Sequence, residues 1–91
     1  MTKTTIPDGR WCVYIVRCQD DTLYTGCTNH LEARVQAHNK GQGAKYTRKR
    51  LPVKLVWWQP AADRSHALRL EHEVKTLGRE RKLKLIEEDP V

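Results

Sequence analysis

Hydrophobic and β-branched residues are concentrated in two short runs near the start of the chain, residues 11–18 and 23–26. Val, Ile, Thr, Tyr and Trp suit the pleated surface of a β-sheet, and the Gln-Asp-Asp-Thr segment between the runs is typical of a turn. The pattern predicts a β-hairpin with one tyrosine on each strand, Tyr14 and Tyr24. A connection with an odd number of residues places the two rings on one face, and an even number places them on opposite faces. The sequence leaves both arrangements open, as it does the interpretation that both are ordinary strand tyrosines.

Helical periodicity begins after the hairpin. Residues 30–40 are predicted to form a helix that Asn29 caps and Gly41 ends. On a helical projection, Arg34 and His38 lie beside the apolar stripe of this helix. An ionisable group that leans toward a core is costly unless it is paired or functional. The alternative is that Arg34 extends its charge to solvent while His38 caps the end of the helix.

A third strand is predicted over residues 53–59, ended by Pro60. Alternation places Trp57 on one face of the sheet and Trp58 on the other, so both faces need cover. One sheet between layers of helices meets that need. The sequence therefore predicts an α/β fold.

The next predicted helix begins at Asp63 or Ser65 and is stopped by Gly78. Glu71 falls inside its apolar stripe, so one carboxylate is aimed inward. Such a carboxylate either pairs with Arg34 or binds a divalent metal ion, since Mg²⁺ commonly takes one or two carboxylates and keeps water on its other positions. The helical phase leaves both interpretations open.

The two ends of the chain are less informative. Residues 79–89 are predicted to form a charged helix anchored by Leu83 and Ile86, with Leu85 off their line. Residues 1–10 are predicted to form a loose lead-in that ends in the turn Pro7-Asp8-Gly9.

Composition indicates a nucleic-acid partner. The chain has 91 residues, enough for one domain over residues 1–91, and a formal net charge of +6. Cations cluster just after the first helix, with glycines and a tyrosine between them. Such a segment offers charges that neutralise phosphates and a ring on which a base can stack. The predicted nucleic-acid-binding residues are Lys40, Lys45, Tyr46, Arg48, Lys49 and Arg50.

Other classes of protein fit the sequence poorly. No signal peptide or long apolar run is found, which favours a cytoplasmic location and no membrane association. The chain has three cysteines, an odd number, at spacings that do not match paired zinc ligands. They are predicted to be reduced thiols.

Several short motifs occur in a specific order along residues 11–87: Val13-Tyr14, Tyr24-Thr25-Gly26, Arg34 with His38, Gly43-Ala44-Lys45-Tyr46-Thr47, and Glu71. Each motif is weak alone, but together they resemble the GIY-YIG nuclease superfamily, most closely its small stand-alone bacterial members. The resemblance implies a three-stranded antiparallel sheet flanked by helices. It also implies an endonuclease that hydrolyses phosphodiester bonds in repair or processing. DNA is favoured over RNA as the substrate, and the sequence leaves both open because no residue recognisably reads a 2′-hydroxyl or a base edge.

The resemblance also implies a role for each site residue. Tyr24 would act as general base or orient the attacking water, with Tyr14 as its neighbour. Arg34 would bind the scissile phosphate, and His38 would assist proton movement or phosphate positioning. Glu71 would hold one divalent ion, Mg²⁺ or Mn²⁺.

The chain departs from the family pattern at two positions. Cys12 stands where the first motif has a glycine, and Cys27 stands where excision-repair relatives have a lysine, for which Lys45 is a candidate replacement. These departures keep other functions open: a non-catalytic nucleic-acid-binding module, or a subunit of a repair complex whose protein partner supplies specificity.

Overall fold

The computed structural model describes residues 9–91 of the chain, so most of the predicted lead-in lies outside the described residues. The elements in chain order are β1 (Cys12–Arg17), β2 (Leu23–Thr28), α1 (Leu31–Asn39), α2 (Lys45–Arg48), β3 (Lys54–Pro60), α3 (Arg64–Thr76) and α4 (Arg79–Glu88). The predicted α/β fold, a three-stranded antiparallel sheet with helices, is confirmed.

β1 is the central strand, because the strands are ordered β2-β1-β3 and both neighbours pair with β1 in antiparallel fashion. The hairpin connection covers residues 18–22, an odd number, and its Asp20 carboxylate accepts a hydrogen bond from the Thr22 N–H at 3.2 Å. Val16 is paired with Tyr24, and Tyr14 with Gly26. Residues two apart share a face of a strand. The two tyrosines therefore lie on the same face of the sheet, which resolves the alternative that the sequence left open.

The sheet is buried on both faces, as the neighbouring tryptophans predicted. Trp58 packs with Tyr14 and Leu31 on the face that α1 covers. Trp57 packs with Ile15 and Val74 on the opposite face, beneath α3 and α4. Trp57 and Trp58 are both almost fully buried. The sheet therefore has a hydrophobic core on each side, and the site tyrosines belong to the α1 side.

The ends of the helices confirm some predictions and correct others. Gly41 follows α1 with a φ of +76°, a backbone conformation that favours glycine, and so ends the helix as predicted. The cap residue of α1 is His30, not Asn29, because β2 continues to Thr28, whose hydroxyl accepts a hydrogen bond from the His30 N–H.

At the second long helix, the cap is one of the two predicted residues, and the helix ends near the predicted position but without a glycine as its stop. The Asp63 carboxylate accepts a hydrogen bond from the His66 N–H at 2.8 Å, so Asp63 rather than Ser65 caps α3. Gly78 does not stop α3. The helix closes at Leu77, and Gly78 instead precedes α4 as its cap residue, with a negative φ.

α4 packs through a wider face than the predicted one. Ile86 packs against the core as predicted, and Leu85 packs beside it, whereas the sequence placed Leu85 off the line of contact. Lys82, Leu83, Leu85 and Ile86 are all half-buried. The contact face of α4 therefore includes Leu85 as well as the predicted residues.

Candidate active site

Tyr14 lies at the centre of the site, with 1% of its surface exposed. Its ring lies over Gly26 on the neighbouring strand: a Cβ atom at Gly26 would stand 2.6 Å from the Tyr14 hydroxyl oxygen. Gly26 is thus required because the aromatic ring occupies the space of a side chain. The Tyr14 hydroxyl is 2.9 Å from Nε2 of His38.

His38 is fully buried and is held from both ring nitrogens. Nε2 contacts the Tyr14 hydroxyl, and Nδ1 lies 2.8 Å from the Thr47 hydroxyl. Gly43 packs directly against the imidazole, where a Cβ atom would overlap the ring. Burial, and then the charge of Arg34, lower the pKa of His38 below its usual value. The imidazole is therefore neutral at pH 7. The alternative interpretation, in which the His38 side chain caps the end of the helix, is wrong, because both ring nitrogens contact Tyr14 and Thr47.

Arg34, Tyr24 and Glu71 all act on the Tyr14 hydroxyl. Burial raises the pKa of Tyr14 to about 12, while a hydrogen bond from Arg34 and its charge lower it in part, and Tyr24 and Glu71 raise it further. Arg34 is half-buried and directed at the site, so it does not simply extend into solvent. The Tyr14 hydroxyl keeps its proton at neutral pH.

Tyr24 connects this buried centre to the surface. Its ring meets the His38 ring edge-on, with centroids 5.4 Å apart, and stacks on Tyr46 at 5.9 Å. Tyr46 is 40% exposed. The two tyrosines and the histidine therefore form a continuous aromatic path from the core to the exposed side of α2.

Glu71 lies on α3, which packs on the other face of the sheet, and its charge contributes to raising the pKa of Tyr14. One carboxylate oxygen accepts a hydrogen bond from the Cys27 thiol at 3.5 Å, and the other lies 3.1 Å from the Lys75 ammonium. Within residues 9–91, the ion-pair partner of Glu71 is thus Lys75, one turn along α3, and not Arg34. Burial and the neighbouring carboxylate raise the pKa of Cys27 to about 11, so Cys27 stays a thiol that donates to Glu71.

A divalent ion would find one protein carboxylate here. The Glu71 side chain is 18% exposed at edge strand β2, so its oxygens are within reach of solvent and of a bound ligand. In the described part of the chain, no group of three or more His, Cys, Asp and Glu side chains is placed to hold a metal ion. The donor set fits Mg²⁺ or Mn²⁺ held by a single carboxylate, with water and substrate oxygens as the remaining ligands.

The basic segment after α1 is partly helical. Lys45–Arg48 form α2, and the predicted cations Lys40, Lys45, Arg48 and Lys49 are exposed. Because these side chains are exposed and lie near Tyr46, they form a basic surface next to the site. We call Lys40, Lys45, Tyr46, Arg48 and Lys49 the basic surface.

Arg50, also predicted to bind nucleic acid, is engaged within the protein. Its guanidinium lies 4.1 Å from the centre of the Tyr46 ring and donates hydrogen bonds to the Asp20 carboxylate at 3.0 Å and the Tyr46 carbonyl at 2.8 Å. These contacts tie the end of α2 to the hairpin turn. Arg50 therefore stabilises the position of Tyr46.

Thr47 and Gly43 are site residues whose roles were not predicted from the sequence. Both belong to the Gly-Ala-Lys-Tyr-Thr motif, but only the fold shows that they contact His38. Thr47 is fully buried although its neighbours Tyr46 and Arg48 are exposed. A buried polar residue points to a functional or structural contact, but the sequence does not show which polar residues are buried.

Residues 10–84 match the family model of the GIY-YIG catalytic domain. This match covers most of the chain, and the chain therefore belongs to the GIY-YIG family. GIY-YIG domains form a superfamily of nucleases. Among residues 9–91, no helix is long and apolar enough to cross a membrane.

The chain is similar to small bacterial proteins. A UPF0213 protein of Staphylococcus haemolyticus is 54% identical over 84% of this chain and 93% of the relative. The solution structure of a UPF0213 protein from Bacillus halodurans is 41% identical, with a TM-score of 0.55 over 86% of this chain and 83% of that chain. The solution structure of a protein from E. faecalis is 33% identical, with a TM-score of 0.61 over 90% of this chain and 88% of that chain.

Proposed function

We propose that this protein is a divalent-metal-dependent endonuclease that hydrolyses DNA phosphodiester bonds in the cytoplasm, in DNA repair or processing. The observation that carries the proposal is the hydrogen bond between the buried Tyr14 hydroxyl and His38, with Tyr24 against His38 and with Arg34 and Glu71 near enough for their charges to shift the pKa of Tyr14. These side chains come from β1, β2, α1 and α3. Packing alone gives no reason to gather a cation, a carboxylate and several hydroxyls in one region of the fold.

The two tyrosines have different tasks in this proposal. The Tyr14 hydroxyl bonds with His38 and Arg34, and its pKa is raised to about 12, so it stays protonated at neutral pH and no phenolate is available there to take a proton from water. Tyr24 lies between this buried centre and the exposed Tyr46. We assign the orientation or deprotonation of the attacking water to Tyr24, and to Tyr14 the alignment of Arg34 and His38.

Arg34 supplies positive charge to the phosphate. A guanidinium donates several hydrogen bonds in a fixed plane, which suits phosphate oxygens, and stabilising the charge that develops in phosphoryl transfer is a large part of catalysis. His38 is a neutral imidazole and contributes by holding Tyr14 rather than by charge.

Glu71 would hold one Mg²⁺ or Mn²⁺ ion. When bound, such an ion neutralises phosphate charge and acidifies a ligated water. Lys75 now occupies one Glu71 oxygen, so the ion would compete with an internal cation for this carboxylate. Metal binding is therefore expected to be weak without substrate, and the phosphate of a bound strand would favour it.

The basic surface would bind the nucleic acid. Its exposed cations neutralise backbone phosphates without reading bases, which predicts strong salt dependence and little sequence preference. Tyr46, stacked on Tyr24, brings the strand close to the site.

The proposal is tested by incubating purified protein with labelled duplex, single-stranded, nicked and branched DNA, and with RNA, in Mg²⁺, Mn²⁺ or EDTA. Wild type is expected to cut at least one DNA in metal and none in EDTA, and Arg34→Gln is expected to lose the cutting. Tight, salt-sensitive binding without cutting of any substrate would refute the enzyme. It would favour the alternative, a binding module or a repair-complex subunit that retains the fold.

A further inference from the structure

Thr47 lies behind His38, on the side away from Tyr14. Its hydroxyl oxygen is 2.8 Å from Nδ1 of His38 and 3.0 Å from the Ala44 carbonyl oxygen. Thr47, His38 and Tyr14 are all essentially buried. In such a setting each proton must go to a definite acceptor, since an unpaired buried polar group is costly.

The acceptors fix the direction of this chain of hydrogen bonds. A carbonyl oxygen only accepts, so the single Thr47 hydroxyl proton goes to Ala44, and the Thr47 oxygen then accepts from Nδ1–H of His38. This leaves Nε2 without a proton and able to accept from the Tyr14 hydroxyl. The Ala44 N–H, 3.4 Å from Nδ1, favours the opposite direction, but this contact is the longest of the set.

The far end of the chain is compatible with this direction. A guanidinium has only donors, so Arg34 uses a lone pair of the Tyr14 oxygen and leaves the Tyr14 proton free to be donated to Nε2. The order that keeps the shortest contacts runs from Tyr14 to His38, from His38 to Thr47, and from Thr47 to the Ala44 carbonyl.

We propose that Thr47 is a positioning residue that holds His38 in the tautomer protonated at Nδ1, and thereby directs the Tyr14 hydroxyl proton away from the substrate. The Tyr14 oxygen then offers only lone pairs to the site, where Arg34 and the attacking water are donors. Gly43 contributes by letting the loop close against the imidazole, which brings Thr47 within reach of Nδ1. The kinetic part of this inference rests on the proposed nuclease activity, and the tautomer does not.

The test is long-range ¹H–¹⁵N NMR of His38, which distinguishes a protonated from a bare ring nitrogen. Wild type and Thr47→Ser, which keeps the hydroxyl, are expected to carry the proton on Nδ1 at pH 7.5. Thr47→Val has nearly the same shape without the hydroxyl and is expected to move most of the population to the Nε2–H tautomer. If the wild-type protein cuts DNA, Thr47→Val should lose about tenfold in kcat with little change in KM, whereas Thr47→Ser should keep a kcat near that of wild type.

A proton on Nε2 in wild type would overturn the proposal, as would an unchanged tautomer in folded Thr47→Val. Should circular dichroism show that Thr47→Val is unfolded, wild type and Thr47→Ser still decide. The tautomer is read from the protein alone, so a failure to cleave DNA in wild type would refute the nuclease and leave this result standing.

Discussion

Replacing Gly26 with alanine should disturb both the fold and the site. The new Cβ would stand 2.6 Å from the Tyr14 hydroxyl oxygen and 2.8 Å from the ring carbon that bears it, closer than non-bonded atoms approach. The ring cannot move aside easily, because Tyr14 is buried and bonded to His38. Tyr14 must therefore shift, and its hydrogen bond to His38 weakens.

The cost can be worked from these contacts. Overpacking a buried site costs about 1–3 kcal/mol, and weakening a buried hydrogen bond adds about 1 kcal/mol. Alanine restores about 0.5–1 kcal/mol by restricting the unfolded chain. The net loss is about 2 kcal/mol, and at ~4–8 °C per kcal/mol for a domain of this size the Tm should fall by roughly 8–16 °C.

Thermal unfolding followed by circular dichroism measures this effect. Gly78→Ala is the matched control, because nothing lies within 4 Å of a Cβ at that exposed position and its φ is negative. Alanine is a poorer helix cap than glycine, but it also restricts the unfolded chain, so the two effects offset and the control should change Tm by no more than about 3 °C. A Gly26→Ala protein as stable as the control would refute the packing of Tyr14 over Gly26.

Other predictions concern the basic surface, Tyr24 and His38. Changing Lys45, Arg48 and Lys49 together to alanine should weaken DNA binding on every sequence and reduce the magnitude of the slope of log K against log salt by about 2.7. Fluorescence anisotropy measures this slope, and an unchanged slope would remove the three residues from the interface. Tyr24→Phe should lower kcat by about 10²–10⁴ while the Kd for DNA stays within about threefold; equal losses in both would make it a structural tyrosine. Because the pKa of His38 is lowered, the unfolded chain takes up its proton first, so the free energy of unfolding should fall as pH drops below 6.5, by up to about 1.4 kcal/mol per pH unit. Urea titrations of His38→Gln should lack this component, and a slope equal to that of wild type would contradict the assignment.

Local patterns were sufficient to predict much of the fold. Alternation placed Trp57 and Trp58 on opposite faces, and cap chemistry narrowed the start of α3 to Asp63 or Ser65, of which Asp63 is the cap. Both depend on residues near in sequence. The parity of the hairpin connection, which decides whether Tyr14 and Tyr24 share a face, depends on pairing across strands and could be read only from the register.

The contacts that the sequence did not reveal are tertiary. Nothing in the local pattern of Thr47 indicates that its hydroxyl bonds to His38, because the two residues meet only when the loop folds back on α1. Lys75 and Glu71 are one helical turn apart and form an ion pair. The helical projection shows that Glu71 points inward, but it does not show whether its ion-pair partner is Lys75 or Arg34. Leu85 was misplaced because the side of α4 that meets the core is decided by tertiary contacts and not by the periodicity of the helix alone.

The most direct measurement is the rate of DNA cleavage by Glu71→Gln beside wild type and Glu73→Gln, with and without Mn²⁺. Glu73 lies on the same helix and is exposed, so its variant controls for the loss of a negative charge on α3. Wild type and Glu73→Gln should cleave only with the metal ion. Glu71→Gln should lose at least about 100-fold in rate while its Kd for DNA is unchanged. Metal-dependent cleavage by Glu71→Gln at the wild-type rate would contradict a metal-dependent site built on this carboxylate.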